Sequence, residues 1–438
     1  MQRRVGVEDL NTAIDIALIL AAQDKVQQQV KQLTELSANW MAFSEEKLML
    51  SSESLLFLLR QRQSIFLRGF PSSDNEYLAL IERQMGELKR VYIAFYNLHP
   101  GLIHRLSSEQ PEVYIWLMLQ VEFSNETSNL LSALSLLDKV SVEMALMLTI
   151  QSRVQGLDVL LAKMIDGDCP LKAQYLVSLN HRQTLGVALC KHWLRKERLS
   201  PDLLNPILAM QQVEEATEWL NTQVTDAFLF ECIMTKHDRG TWFRKQFGIE
   251  ISDISSDEVV TFGKLLELPE FEPWNLSSKY AHIDFVLGGN TNLVPSIVEQ
   301  LLSIDEIEGE RWIQALHAVY GPKLPILPSE VGVDKEWEEV VDILEEWVED
   351  ERHITPYPLR VGKALSFEST ISAMRNPDVS ALLRVWLWRH LCVHSRAFIP
   401  WAPMMSAHQQ EWNFNKLAST PSAIERFNMR SQNAVVGY

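Results

Sequence analysis

The sequence has 438 residues, 47% of them hydrophobic, and a formal net charge of −17 at pH 7. This composition can fill a sizeable core and excludes an intrinsically disordered chain. Its 57 acidic residues outnumber its 40 basic residues. Because affinity for phosphate backbones comes from a basic face, this balance argues against bulk nucleic-acid binding, and it also disfavours attachment to anionic membrane surfaces.

Targeting and redox features indicate a cytoplasmic protein. Arg3 and Arg4 precede an apolar stretch, residues 13–22, but Asp15 interrupts it, so we expect no signal peptide. No apolar run reaches the length of a membrane-spanning helix, and we expect no membrane insertion. The cysteines are spaced too widely for a zinc ribbon or a disulfide framework. We expect them to be buried free thiols: Cys169, Cys190, Cys232 and Cys392.

Helical periodicity dominates residues 1–150. Leu55, Leu58, Leu59 and Arg62 fall on one helical face, and Ser52 before them has the side chain of an N-cap. A second apolar stripe covers residues 76–98. The pattern predicts an N-terminal helical region with long helices. Strand-like alternation is short and falls on residues 248–255.

Shorter apolar helices follow one another through residues 151–321. Their length of roughly 10 to 14 residues and their tight polar connections are typical of stacked helix pairs, in which neighbours bury each other's apolar faces. We therefore predict an all-α fold with HEAT-like stacked helix pairs, an α-solenoid. An irregular multi-helix bundle is the alternative. Prolines that fit the first helical position mark several expected helix starts, at Pro111, Pro201, Pro377 and Pro421.

A C-terminal helical region, residues 322–438, begins within a proline-rich break, residues 321–334. This region opens with an acidic helix, which we predict over residues 335–352. Between Asp334 and Glu351 there are ten acidic residues and one lysine. Apolar side chains recur at helical spacing within it, including Trp337, Leu344 and Trp347, so we expect this face to pack and the acids to be exposed.

The acidic face has two interpretations, a solvated exterior or a docking surface for a basic partner. The candidate partner-binding residues are Glu338, Glu345, Glu346, Glu349 and Asp350. Exposed charges of this kind mainly raise association rate and specificity, and salt screens them.

A histidine and cysteine cluster, His390, Cys392 and His394, is the strongest metal candidate. On a helix the two histidines share a face, while Cys392 points about 200° away. With no carboxylate nearby in sequence, we expect no metal site and no tightly bound metal. Residues 288–292 are glycine-rich but lack the ending of a P-loop, and Gly288 and Gly289 fit a helix C-cap. We expect no cofactor and no catalytic residues.

Five stretches resemble a family of bacterial HEAT-repeat-like proteins encoded within type VI secretion gene clusters. They are residues 53–69 (ESLLFLLRQRQSIFLRG), 77–95, 288–324, 359–376 and 382–390 (LLRVWLWRH). Together they span most of residues 50–415. The resemblance implies a cytoplasmic accessory role near the secretion machinery and transfers no catalytic residues.

Two classes of function fit these patterns. The first is a non-catalytic scaffold or adaptor that binds proteins, including secretion-machine components, or a chaperone of a secreted effector. The second is an enzyme on a helical-repeat frame, of the nucleic-acid base-excision type. That enzyme would need a contiguous basic groove and a catalytic carboxylate, and the net charge of −17 disfavours it.

Overall fold

The fold is all-α, as the periodicity predicts. A computed structural model describes residues 3–35, 38–223, 225–248, 256–271 and 274–435, and it is 70% helical. Among these residues the strands form one two-stranded sheet, so the all-α class is confirmed, while the HEAT-like solenoid stays a prediction. The strand candidate at residues 248–255 lies outside the described residues except for Gly248.

Contacts divide the chain into two compact units. The first contains Met1–Phe66, Ser73–Gln211 and Met404–Ser406, and the second contains Leu67–Ser72, Gln212–Pro403 and Ala407–Tyr438. The three regions expected from the sequence, 1–150, 151–321 and 322–438, stay predictions. Within the described residues, no helix combines the length and apolarity that crossing a membrane requires.

The first unit consists of helices joined by short connections. Its helices are α1 (Ile16–Lys31), α2 (Ala38–Arg68, which ends in the second unit), α3 (Glu76–Leu98), α4 (Pro100–His104), α5 (Leu106–Glu109), α6 (Pro111–Met118), α7 (Thr127–Leu134), α8 (Val142–Gln151), α9 (Leu157–Asp166), α10 (Lys172–His181), α11 (Val187–Arg195) and α12 (Pro201–Met210). Short 3-10 turns lie at Val7–Leu10, Gln32–Glu35 and Leu137–Lys139.

The second unit adds one hairpin to a similar set of helices. Its elements are α13 (Glu214–Thr222), α14 (Leu229–Thr235), α15 (Arg239–Phe247), α16 (Asp257–Leu265), α17 (Ala281–Gly288), α18 (Val294–Leu301), α19 (Glu306–Tyr320), α20 (Trp337–Glu349), β1 (Leu359–Arg360), β2 (Lys363–Ala364), α21 (Phe367–Met374), α22 (Ala381–Ser395), α23 (Ala407–Ala418) and α24 (Pro421–Val435). β1 and β2 are antiparallel, with Leu359 opposite Ala364 and Arg360 opposite Lys363.

Helix α2 begins earlier than the sequence predicts. It starts at Ala38, so Ser52 lies inside the helix and is not an N-cap. The Ser52 hydroxyl is buried and donates a 2.9 Å hydrogen bond to the carbonyl of Met49. Inside the helix, the hydroxyl bonds to a carbonyl of the preceding turn and does not cap a free N–H group. The result is one continuous helix of 31 residues.

A buried arginine holds the end of α8 in the first unit. The carbonyls of Thr149, Ile150 and Ser152 at that end accept hydrogen bonds of 2.9, 3.1 and 2.8 Å from Arg182. The same guanidinium pairs with Asp158, in the first turn of α9, at 2.6 and 3.0 Å. Carbonyls in the last turn of a helix have no partner within it, so Arg182 supplies the donors that burial would otherwise remove.

Arginines play the same part in the second unit. The fully buried Arg384 donates from Nε to the carbonyl of Met374, the last residue of α21, at 3.0 Å. Arg239 donates to the carbonyls of Ile233 and Met234 in the last turn of α14, at 3.0 and 3.3 Å. Arg360, also fully buried, donates to the carbonyl of Leu287 near the end of α17, at 3.2 Å. A fold of short helices has many such ends, and one arginine side chain can donate several hydrogen bonds to the carbonyls there.

Candidate functional site

The acidic helix is α20, and one of its faces is packed. Val340, Leu344 and Trp347 are buried, and the Trp347 ring meets Tyr320 edge to face with centroids 4.8 Å apart. At the start of the helix, Trp337 donates from its indole nitrogen to the carbonyl of Ile304 at 3.2 Å. These contacts fix α20 through its apolar face, which is the packing that the sequence predicts.

The candidate partner-binding acids lie on the other faces of α20. Glu338, Glu346, Glu349 and Asp350 are exposed, while Glu345 is half-buried. Arg352 lies 3.7 Å from Glu346 and 2.5 Å from Asp350. Since exposed ion pairs contribute little, this local pairing leaves an acidic surface that faces solvent. Whether a partner uses it stays a prediction.

Helix α2 carries a second exposed surface, which is apolar. Phe43, Leu50 and Phe57 recur every seven residues and are 52%, 51% and 56% exposed. On the opposite side, Leu55 and Leu59 are completely buried. The helix is therefore apolar on two faces, and the described residues cover only one of them. We call Phe43, Leu50 and Phe57 the α2 stripe.

An open groove of about 760 Å³ lies beside the end of the stripe, between α2 and α3. Phe57, Leu58 and Leu88 give it an apolar lining, and acids from both helices, Glu53 and Glu87, stand among its lining residues. Contiguous exposed apolar surface with a polar border is typical of protein interaction sites. The spacing of Leu55, Leu58 and Leu59 predicts only the buried face of α2. The exposed face was not predicted, although the seven-residue spacing of Phe43, Leu50 and Phe57 is a signal for it.

A third feature brings together residues that are far apart in sequence. His390 and His394 lie one turn apart on α22, as predicted, with ring centroids 4.9 Å apart. Glu267, just after α16, joins them: one ligating atom from each of the three residues lies within 4.8 Å of the other two. The sequence showed no carboxylate near the histidines, so Glu267 was missed. We call Glu267, His390 and His394 the two-histidine cluster.

Backbone geometry positions Glu267. Its φ of 55° is left-handed, and its N–H donates to the carbonyl of Lys264 while the next residue, Leu268, donates to Gly263 at 3.1 Å. This is the pattern that ends a helix with a left-handed residue, usually glycine. The carboxylate of Glu267 therefore lies at the end of α16, and the side chain is 38% exposed to solvent.

Hydrogen bonds fix the proton positions in the cluster. Arg430 on α24 contacts His390 Nε2, and a guanidinium can only donate, so this nitrogen carries a lone pair. His394 donates from Nε2 to the carbonyl of Leu265 at 2.7 Å. Burial holds the pKa of each histidine well below its ordinary value, and the charge of Arg430 adds to the effect. Both rings are therefore neutral near pH 7, each with one lone-pair nitrogen.

Cys392 stands apart from this cluster. It lies on α22 between the two histidines in sequence and is fully buried, in line with the predicted divergence on a helix. Burial raises the pKa of its thiol to about 12.

Comparisons with models of known protein families, with characterised proteins and with solved structures gave no match.

All four thiols should be inert in the folded protein. Burial raises the pKa of Cys169 and Cys232 to about 11 and that of Cys190 and Cys392 to about 12, so the reactive thiolate is scarce at mildly alkaline pH. Ellman's reagent should find no fast thiol before denaturation and four after it. A Ser73→Cys variant, at an exposed position, serves as the reactive control. A fast-reacting native cysteine in the wild type would contradict this burial.

Proposed function

We propose that this chain is a non-catalytic adaptor that binds proteins in the cytoplasm and serves a type VI secretion system. The observation that carries the binding function is the α2 stripe, three large apolar side chains each more than half exposed on one helix face. The link to secretion rests on the resemblance of residues 53–69 and the later stretches to that family, and secretion-machine components are the proposed partners.

The proposed frame for these surfaces is a HEAT-like array of stacked helix pairs. Consecutive helices contact one another in the pairs α9 with α10, α11 with α12, α13 with α14, and α16 with α17. In a HEAT-like array each helix pair leaves one side to its neighbours in the stack, and such arrays bind partners along extended surfaces. The pairing supports the proposal for residues 151–321.

The occupant of the α2 stripe is an amphipathic helix of a partner protein. Residues seven apart on an α-helix drift by only about 20°, so Phe43, Leu50 and Phe57 form a nearly straight seam of the kind that helix pairs bury. The seam spans about 21 Å, or four helical turns. Charges of both signs border its end, with Glu53, Glu87 and Arg83 lining the groove, which favours a partner helix with flanking residues of both signs.

The net charge of −17 favours an adaptor over the base-excision enzyme, and three of the 40 basic residues are also buried. Arg182, Arg360 and Arg384 are buried, where their guanidinium groups are used by backbone carbonyls. Positive charge placed inside is not offered to a phosphate backbone, whose recognition needs exposed cations.

Photo-cross-linking tests the α2 stripe. A benzophenone amino acid placed singly at positions 43, 50 and 57 should cross-link in native cells to one partner peptide, at partner residues spaced by about seven. The matched control is the same amino acid at Ile307, which is 73% exposed on α19. A Leu50→Glu/Phe57→Glu variant should lose the partner and keep its melting temperature, because both side chains face solvent. Cross-links between copies of this chain, or to unrelated peptides at each position, would refute a partner helix.

Charge reversal tests the acidic face of α20 as the adaptor's second surface. Changing Glu346, Glu349 and Asp350 to lysine should release basic proteins that the wild type captures, and raising the salt concentration should release the same proteins from the wild type. The matched control reverses three exposed acids on other helices, Glu299, Glu368 and Glu425, with the same change in net charge. If the α20 variant and the control variant capture the same basic proteins in equal amounts, the acidic face of α20 is only a solvated exterior and the docking proposal is wrong.

A further inference from the structure

The two-histidine cluster has the donor set of a metal site. Two imidazole nitrogens and one carboxylate oxygen suit divalent transition ions, which accept this mixture of nitrogen and oxygen ligands. The ligating atoms of Glu267, His390 and His394 already lie within 4.8 Å of one another. Closure of about 1 to 1.5 Å between them reaches the spacing of ligands around one ion with bonds near 2 Å.

Arg430 occupies the space that an ion would use. Its guanidinium contacts His390 Nε2, and its Nε lies 2.9 Å from Glu267 Oε1. It therefore touches two of the three ligand residues and neutralises the carboxylate, as a bound cation would. The Phe427 ring lies beneath the guanidinium, 4.3 Å away, and also packs against His390 with centroids 5.3 Å apart.

The fit of Arg430 is incomplete. Its Nε is buried and, although close to Glu267, is not directed at a hydrogen-bond acceptor among the described residues. His390, 1% exposed, likewise leaves Nδ1 without a partner in the described part of the chain. Buried polar groups without partners are costly, and natural cores contain few of them. His390 Nδ1 is one of them, and Arg430 Nε is held only by its ion pair with Glu267.

Other contacts prepare the cluster for a ligand role. The hydrogen bond from His394 Nε2 to the carbonyl of Leu265 fixes one tautomer of this ring, as second partners of metal-bound histidines do. Arg360 also acts electrostatically on His390, but more weakly than Arg430, and its Nη2 donates to the carbonyl of Leu287. The exposed carboxylate of Glu267 gives an ion a path from solvent to the buried rings.

We propose that Glu267, His390 and His394 form a binding site for a divalent transition-metal ion, and that Arg430 fills this site in the metal-free protein. A metal ion binds by taking the lone pairs of the two neutral rings and one carboxylate oxygen, while the guanidinium leaves toward solvent. Because the ion must displace a cation, the wild type binds metal weakly. The proposal departs from the expectation from sequence that there is no metal site, and the expectation that no metal is tightly bound stays a prediction. The inference is independent of the protein-binding function.

Cobalt(II) titration of the full chain tests the site. Arg430→Met removes the competing charge and keeps the aliphatic stem, so it should bind one equivalent of cobalt(II) at least about tenfold more tightly than the wild type, a difference of about 1.4 kcal/mol. The tight site should also give visible absorption bands of a low-coordinate cobalt ion. Adding His394→Ala should abolish both signals. Arg426→Met, one turn earlier on α24 and bonded to the carbonyl of Ser395, should bind as the wild type does.

Two outcomes overturn the proposal: equal cobalt affinity in Arg430→Met and the wild type, or retained tight binding when His394→Ala is added. A second pair of proteins leaves Arg430 in place, in case its replacement prevents folding. Saturating cobalt(II) should raise the melting temperature of the wild type, since an ion that binds only the folded state stabilises it, and should not raise that of His394→Gln. An equal shift in both proteins also overturns it.

Discussion

A carbonyl in the last turn of a helix has no partner within that helix, and a fold built from many short helices buries many such carbonyls. Arginine side chains meet this constraint in both units. Arg182 bonds three carbonyls at the end of α8, and Arg384, Arg239 and Arg360 serve the ends of α21, α14 and α17. Each guanidinium also joins elements distant in sequence, so the ends of the helices and their packing are fixed by the same contacts.

Buried charges of the two signs balance among the described residues, with Arg182, Arg360 and Arg384 against Asp158, Asp166 and Asp284. The acidic character of the exterior, including α20, therefore follows from the excess of 57 acidic over 40 basic residues in the sequence. The two-histidine cluster also lies at the end of a helix, α16. Its Arg430 lies beside a helix end, where His394 and not an arginine bonds the carbonyl of Leu265. In the proposed metal site, departure of the Arg430 guanidinium leaves the nitrogens of His390 and His394 and the carboxylate of Glu267 to bind the ion.

Local chemistry explains how much could be predicted. The all-α class, α22, the packed face of α20 and the C-cap at Gly289, with its φ of 61°, follow from periodicity and from glycine's backbone freedom. Pro111, Pro201 and Pro421 begin helices, but Pro377 does not: Asn376 accepts a hydrogen bond from the Asp378 N–H and forms a turn, and α22 starts at Ala381. Glu267 could not be assigned to the histidines, because its approach depends on packing between α16 and residues more than a hundred positions later.

Removal of the Arg182 guanidinium tests most directly whether arginine-capped helix ends hold this fold. Arg182→Met should lower the free energy of unfolding by about 3–5 kcal/mol, mainly because three buried carbonyls at the end of α8 lose their donors at about 1–3 kcal/mol each. Arg90→Met, at an exposed pair with Glu87, should change it by less than about 1 kcal/mol. Adding Asp158→Asn neutralises the carboxylate that Arg182→Met leaves unpaired, so the loss of stability that remains reports on the carbonyls alone. The account predicts that Arg182→Met/Asp158→Asn stays nearly as unstable as Arg182→Met, because the carbonyls at the end of α8 still lack donors. Recovery of wild-type stability in the double variant would contradict it.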